Sequence, residues 1–152
     1  MNATPIEIRR LREIDSRSWM ELRKMLWDEL SEEEHLREML DIYKHPDSQL
    51  ILVADAGEGS IVGFLEASIR PFVEDCLTDH VGYLEGWFVL ESHRRSGIGR
   101  ELVEGAEEWA RQNGCVEMAS DSEVGNDLSL DAHLKLGYEE TSRLVHLRKE
   151  IG

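Results

Sequence analysis

An apolar run, Trp87-Phe88-Val89-Leu90, gives way to Arg94-Arg95-Ser96-Gly97-Ile98-Gly99-Arg100, and that basic stretch opens an amphipathic segment. Few arrangements satisfy this order. A buried strand must deliver the chain into a tight turn, and the turn must feed a helix N-terminus, which points to an α/β class. Such a junction suits a polyphosphate. Glycine lets the backbone come close, successive N–H groups point at phosphate oxygens, and the helix dipole adds to their pull. Arg94, Arg95 and Arg100 surround the turn with positive charge, in a chain whose 17 Lys and Arg against 32 Asp and Glu give a formal net charge of −15.

Periodicity places the remaining elements around this junction. Ile6 to Leu11 reads as a strand, and Ser16 to Trp27 carries Trp19, Leu22, Arg23, Leu26 and Trp27 at helical spacing. Ser31-Glu32-Glu33-Glu34 predicts a capping box for a second helix with Leu36, Met39, Leu40 and Tyr43 as its inner face, ended by Pro46. Gln49 to Ala54 and Ile61 to Arg70 read as strands joined by a hairpin turn over Asp55 to Ser60, and Pro71 to His80 is irregular. A strand over Val81 to Leu90 precedes a helix from Gly97 to Gln112 that buries Ile98, Leu102, Val103, Ala106, Trp109 and Ala110. Cys115 to Ser120 is then a strand, Asn126 to Leu136 a helix stopped by Gly137, and Tyr138 to Arg148 a last strand. The expected fold is α/β (α+β), one domain over residues 1–152, with a single mixed, largely antiparallel sheet flanked by helices in the order βααβββαβαβ.

Charge and composition exclude several function classes. A net negative chain repels nucleic acid and anionic membranes, whereas a carboxylate-lined cleft concentrates a cationic ligand. The opening Met1-Asn2-Ala3-Thr4-Pro5 lacks the basic and apolar parts of a secretory leader, and no apolar run approaches the roughly 18 residues of a membrane span, so a cytoplasmic protein is expected. Cys76 and Cys115 are far apart and are read as reduced thiols, with Cys115 buried. The six histidines show no His-Glu-x-x-His or other paired spacing, so no metal is expected. There is no Gly-x-Ser-x-Gly elbow and no Gly-x-x-x-x-Gly-Lys-Ser/Thr loop.

The element order, with Arg94 to Gly99 matching Arg/Gln-x-x-Gly-x-Gly/Ala after the fourth strand, resembles the GCN5-related N-acetyltransferase (GNAT) superfamily, in which this turn holds the acetyl-CoA pyrophosphate. A closer resemblance runs through six blocks in order: Leu22 to Trp27, Glu66 to Arg70, Tyr83 to Val89, His93 to Gly97, Met118 to Asp121 and Leu136 to Thr141. Together they look like the aminoglycoside 6′-N-acetyltransferases. That resemblance implies acetyl transfer from acetyl-CoA to the 6′-amine of an aminoglycoside, and a homodimer, since relatives often pair. It assigns Trp27, Glu85 and Asp121 to the aminoglycoside. It assigns Trp87, Phe88, Val89, the turn Arg95, Ser96, Gly97, Ile98, Gly99, Arg100 with Arg94, and Asn126 to acetyl-CoA. Phe72 falls where a substrate-contacting Tyr is expected, and Ser142 where some relatives carry a carboxylate.

The residues themselves agree with much of this. Glu85 interrupts an apolar strand, where a carboxylate is costly unless it is paired or faces a wet cleft; the alternative is a solvent-facing edge position. Asp121 follows the strand Cys115 to Ser120 at its carboxyl end, where open α/β sheets bind ligands, and could equally be a helix cap or turn former. Acetyl transfer to an amine needs a neutral nucleophile, a polarised carbonyl and an acid for the thiolate. Glu85, or a water it holds, is the expected proton acceptor. The resemblance to the superfamily implies the N–H of Phe88 or Val89 as the polarising donor and His133, at the position where members often carry a Tyr, as the candidate acid, with packing or capping as its other reading. Two rival functions remain at this level: acetylation of another amine, such as a polyamine or peptide N-terminus, and a non-catalytic acyl-CoA-binding module.

Overall fold

The computed structural model describes residues 5–152, so Met1 to Thr4 of the opening segment lie outside the described residues. Five strands, β1 (Glu7–Arg10), β2 (Gln49–Asp55), β3 (Ile61–Arg70), β4 (Val81–Val89) and β5 (Met118–Ser120), form one sheet in sequence order. Neighbours are antiparallel except β4 and β5, which are parallel. Helices α1 (Ser16–Leu26) and α2 (Glu32–Tyr43) connect β1 to β2, α3 (Ile98–Gln112) connects β4 to β5, and α4 (Asp127–Lys135) follows β5. The mixed α/β class and the element order through the last helix match the sequence expectation. The chain divides into two compact units, one running to Ser120 and the other Asp121–Gly152.

In the first unit every residue from Ile61 to Ser68 is buried, which requires cover on both faces of β3. Trp19 and Leu22 of α1 and Met39 of α2 close one face with Val53, Ile61 and Phe64. The other face receives α3, whose Leu102, Val103, Ala106, Trp109 and Ala110 are buried and whose close approach puts Gly105 against Leu52 and Leu102 near Gly63. The predicted capping box starts α2: Ser31 Oγ accepts from the Glu34 amide at 3.1 Å, and the Glu34 carboxylate accepts from the Ser31 amide at 2.8 Å.

Two expectations need correction. The inner face of α2 is His35 and Met39, with Leu36, Leu40 and Tyr43 about half exposed. The helix is rotated from the apolar reading because a buried charge network takes the His35 position, as described below. The predicted last strand over Tyr138 to Arg148 is not formed: among the described residues, 138–152 has no ladder partner, and Leu144, Val145, Leu147 and Ile151 are exposed. An extended apolar segment becomes a strand only where another edge accepts its hydrogen bonds.

The irregular segment 71–80 is latched to the chain leading into β5. The Glu117 carboxylate accepts from the Thr78 hydroxyl at 2.6 Å, the Thr78 amide at 2.7 Å and the Leu77 amide at 2.9 Å. The Thr78 hydroxyl foremost, then the Leu77 amide, hold this carboxyl below its ordinary value. The latch is therefore fully present above the unfolded carboxyl value, about 4.3, and is lost as pH falls through the lower folded value. At neutral pH, Glu117→Gln is expected to speed hydrogen exchange at the Leu77 and Thr78 amides by about tenfold; unchanged exchange would mean the loop is held by something else.

Candidate active site

The site begins with an irregularity in β4. Glu66 of β3 lies opposite Gly86, yet Ala67 lies opposite Leu84, so Glu85 is the extra residue of a bulge. The pairing of β4 with β5 ends at Leu84 and Ser120, just before that bulge. Among the described residues no strand pairs with Glu85 to Val89 on the side away from β3, and the sheet is open there. The Leu90 amide donates to the Val62 carbonyl at 2.8 Å. Strand alternation then turns the Phe88 N–H toward β3 and the Val89 N–H toward the opening. Of the two expected polarising donors, Val89 alone faces the gap. Its carbonyl faces the same way and accepts from Arg94 Nε at 2.7 Å.

The basic turn forms at the open end of β4. Arg95 (φ 65°) and Gly97 (φ 87°) both take left-handed backbone, which folds the chain back onto α3. Gly97 is the N-cap and brings no side-chain cap, so the helix's own first turn presents N–H groups that no intrahelical carbonyl satisfies. Buried Ile98 anchors that turn, and a Cβ on Gly99 would stand 3.0 Å from the Trp87 ring. Trp87 thus packs under the first turn of α3. Arg94 reaches back over the Phe88 ring at 5.3 Å, and it, Arg95, Ser96 and Arg100 are all exposed around the turn. Left-handed backbone, an uncapped helix start and an open strand edge together form a cradle that fits a phosphorylated, amide-bearing chain such as coenzyme A.

On the α1 and α2 side of the sheet lies a cleft of about 540 Å³ lined by Trp27, Glu38, Asp41, Gln49, Glu66 and Glu85, among others. Its lining carries these four carboxylates against one guanidinium, Arg37, an excess that attracts cations. Glu85 is held by three donors: Ser68 Oγ at 2.6 Å, Arg70 Nε at 3.0 Å and Arg70 Nη2 at 2.6 Å. Its side chain keeps 29 % of its exposure, so it faces the cleft rather than open solvent. Arg70 stacks on Tyr83, with its guanidinium carbon 3.6 Å from the ring centroid. Glu66 is buried and accepts from Trp19 Nε1 at 2.8 Å and from Arg23. Burial pushes its carboxyl upward, against the lowering pull of Arg23 and the Trp19 indole.

Trp27 and Glu85 therefore come together in the cleft, and Trp87, Phe88 and Val89 lead into the turn. Phe72 does not line the cleft; it sits in the 71–80 loop, 71 % exposed. In the second unit Asp121 directly follows β5 and is exposed. Asn126 caps α4, its side chain accepting from the Ser129 amide at 3.2 Å. His133 Nδ1 lies 2.7 Å from the Ser129 carbonyl, which makes Nδ1 the protonated nitrogen, and the ring meets Tyr138 edge-on.

Sequence reasoning missed Arg23, Glu38, Asp41, Glu66 and Arg70. Glu66 carried the signal used for Glu85, a lone carboxylate in an apolar strand, and Arg23 was a charge on the apolar face of α1. Glu38 and Asp41 were hidden by the wrong rotation of α2.

The acetyltransferase (GNAT) family profile matches residues 12–138. An aminoglycoside N(6′)-acetyltransferase type 1 of Klebsiella aerogenes is 39 % identical over 99 % of this chain and 100 % of its own length. One of Acinetobacter baumannii is 40 % identical over all of both chains. Among solved structures, an apo aminoglycoside 6′-N-acetyltransferase from Acinetobacter haemolyticus superposes with a TM-score of 0.90 at 39 % identity, covering 96 % of this chain and 99 % of that one. AAC(6′)-Iy in complex with the bisubstrate analogue CoA-S-monomethyl-acetylneamine also gives 0.90, at 35 % identity, covering 97 % of this chain and 99 % of that one.

Proposed function

This chain belongs to the acetyltransferase (GNAT) family, and we propose from that premise that it transfers the acetyl group of acetyl-CoA to the 6′-amine of aminoglycosides and so confers resistance to them. The observation that carries the reading is the juxtaposition, on one strand, of an acidic cleft at Glu85 and an open edge running from Val89 into the phosphate cradle. A polycation at the face of the sheet and an acyl-CoA at its edge are thereby brought to the same stretch of β4, Glu85 to Val89.

The chemistry follows from these positions. Cleft carboxylates bind the ammonium groups, and the Trp27 face borders the sugar. Glu85, or a water held by it, takes a proton from the 6′-ammonium. The freed nitrogen attacks the thioester carbon while the Val89 N–H steadies the developing negative charge on oxygen. The C–S bond then breaks as the nitrogen gives its remaining ammonium proton to water and the amide forms. The thiolate takes a proton from His133, which regains one from solvent, and Glu85 returns its own to solvent. Asp121 contributes a further carboxylate to the aminoglycoside, and Asn126, with Trp87, Phe88 and the turn Arg94 to Arg100, supports acetyl-CoA. Positioning supplies the larger share of the acceleration, and general-base help about 10² to 10⁴.

We also propose that residues 1–152 act as one catalytic domain, since the family profile runs across the boundary at Ser120. A homodimer in the cytoplasm completes the reading. The exposed Leu144, Val145, Leu147 and Ile151 are suited to pairing, and no helix among the described residues is long and apolar enough to cross a membrane.

The test is release of CoA from acetyl-CoA with kanamycin carrying a 6′-amine against an analogue carrying a 6′-hydroxyl. Turnover is expected with the amine only. Faster turnover of spermidine than of kanamycin would reassign the substrate to another amine, and binding of acetyl-CoA without any turnover would leave only an acyl-CoA module.

A further inference from the structure

Beneath the cleft lies a guanidinium that the proposed chemistry does not use. Arg23 is fully buried, and each corner of its fork is committed. Nη1 donates to both Glu66 oxygens at 2.8 and 2.7 Å, Nη2 to Glu38 Oε1 at 2.6 Å, and Nε to His35 Nδ1 at 3.3 Å. Glu66 alone would neutralise a buried arginine. The further bond reaches outward, to a Glu38 side chain that is 50 % exposed and lines the cleft.

The same group controls Trp27 twice over. Because His35 Nδ1 accepts from Arg23, the ring proton is on Nε2, which donates to the Trp27 carbonyl at 3.1 Å. The Trp27 ring lies over the guanidinium, its centroid 4.7 Å from Cζ, and meets Phe64 edge-on at 6.2 Å. Its other side rests on β4: a Cβ on Gly86 would stand 2.3 Å from the indole, so the ring occupies the space beside the residue that follows Glu85. Trp27 is the C-cap of α1, in a non-helical conformation, and its amide still donates to the Arg23 carbonyl at 2.8 Å, so Arg23 holds it by main chain as well as by side chain.

We propose that Arg23 is a positioning residue for the aminoglycoside, setting Trp27 and Glu38 as one wall of the cleft that Glu85 also lines. The proposal rests on the acetyltransferase reading and extends it to a residue that touches neither substrate. With all three groups ionised, Arg23, Glu66 and Glu38 carry one net negative charge between them, and Asp41 balances Arg37 on the same lining, so the arginine orients Glu38 without cancelling the attraction for an ammonium. Lysine cannot replace it, because a single ammonium lacks the planar fork that serves three partners at once.

The experiment is Arg23→Lys in protein labelled with 5-fluorotryptophan, with Trp27→Phe to identify the Trp27 resonance. Without substrate, the Trp27 fluorine signal is expected to shift or broaden while that of Trp109, on α3, stays in place. The kanamycin KM is expected to rise about tenfold or more, with kcat changed less than about threefold and the acetyl-CoA KM within about twofold. An unmoved Trp27 signal, or equal changes in both KM values, would overturn the proposal. Should the lysine variant fail to fold, Glu38→Gln tests the same wall from its exposed end: the kanamycin KM should rise about fivefold at unchanged Tm, and an unchanged KM would overturn the proposal. Failure of the underlying reading is separable. It would show as no kanamycin turnover by the unmodified enzyme, whereas the fluorine signal reports, with no substrate present, whether Arg23 sets Trp27.

Discussion

Glu85→Gln is expected to lower kcat/KM for kanamycin by about 10²-fold while the dissociation constant of acetyl-CoA stays within about twofold. The amide keeps the size and the bulge position of the side chain but carries no charge and accepts no proton. It also leaves Arg70 facing a neutral partner, although that guanidinium remains stacked on Tyr83. Most of the loss should therefore appear in the reaction with the amine. Asp121→Asn should act in the same direction. A loss below tenfold in both variants would remove these carboxylates from the chemistry, and single-turnover rates with saturating acetyl-CoA are the direct measurement.

Gly97→Val is expected to raise the acetyl-CoA dissociation constant about 10²-fold or more. Apart from Gly97 itself and its immediate chain neighbours, no atom lies within 4 Å of a Cβ built there, so packing in the free protein is not the obstacle. The obstacle is the left-handed backbone at φ 87°, which a β-branched residue adopts only with strain, together with a side chain projecting from the cap of α3. Isothermal titration with acetyl-CoA would register it, and circular dichroism would show whether α3 persists. Unchanged affinity would separate this turn from phosphate binding.

Much of the fold was legible because its signals are local. Helical spacing, the Ser31 to Glu34 capping box and the glycines around the Asp55 to Ser60 hairpin each depend on a few adjacent residues, and each stands where it was expected. The site was legible where chemistry broke a pattern, as at Glu85. It was illegible where a long-range partner decided the outcome. Leu36 and Leu40 look like an inner face only until His35 is required beside Arg23. The bulge at Glu85 depends on the register of β3 and β4, which no short window of sequence contains. The last segment is apolar enough for a strand, but among the described residues it has no ladder partner, and such a partner is not specified by any local stretch of sequence.

The opening in the sheet beyond Leu84 has a bearing on how the protein survives between turnovers. An uncovered row of main-chain donors and acceptors is the feature through which β-proteins stick to one another, and they commonly blunt it with charge, proline or a helix. Here the row lacks a partner strand, the Val89 carbonyl is already taken by Arg94, and the bulge at Glu85 bends the strand out of register with any flat intruding one. An amide-bearing ligand lying along Val89 would take the place of the absent strand, so that the acyl donor acts as a removable piece of the architecture as well as a reagent.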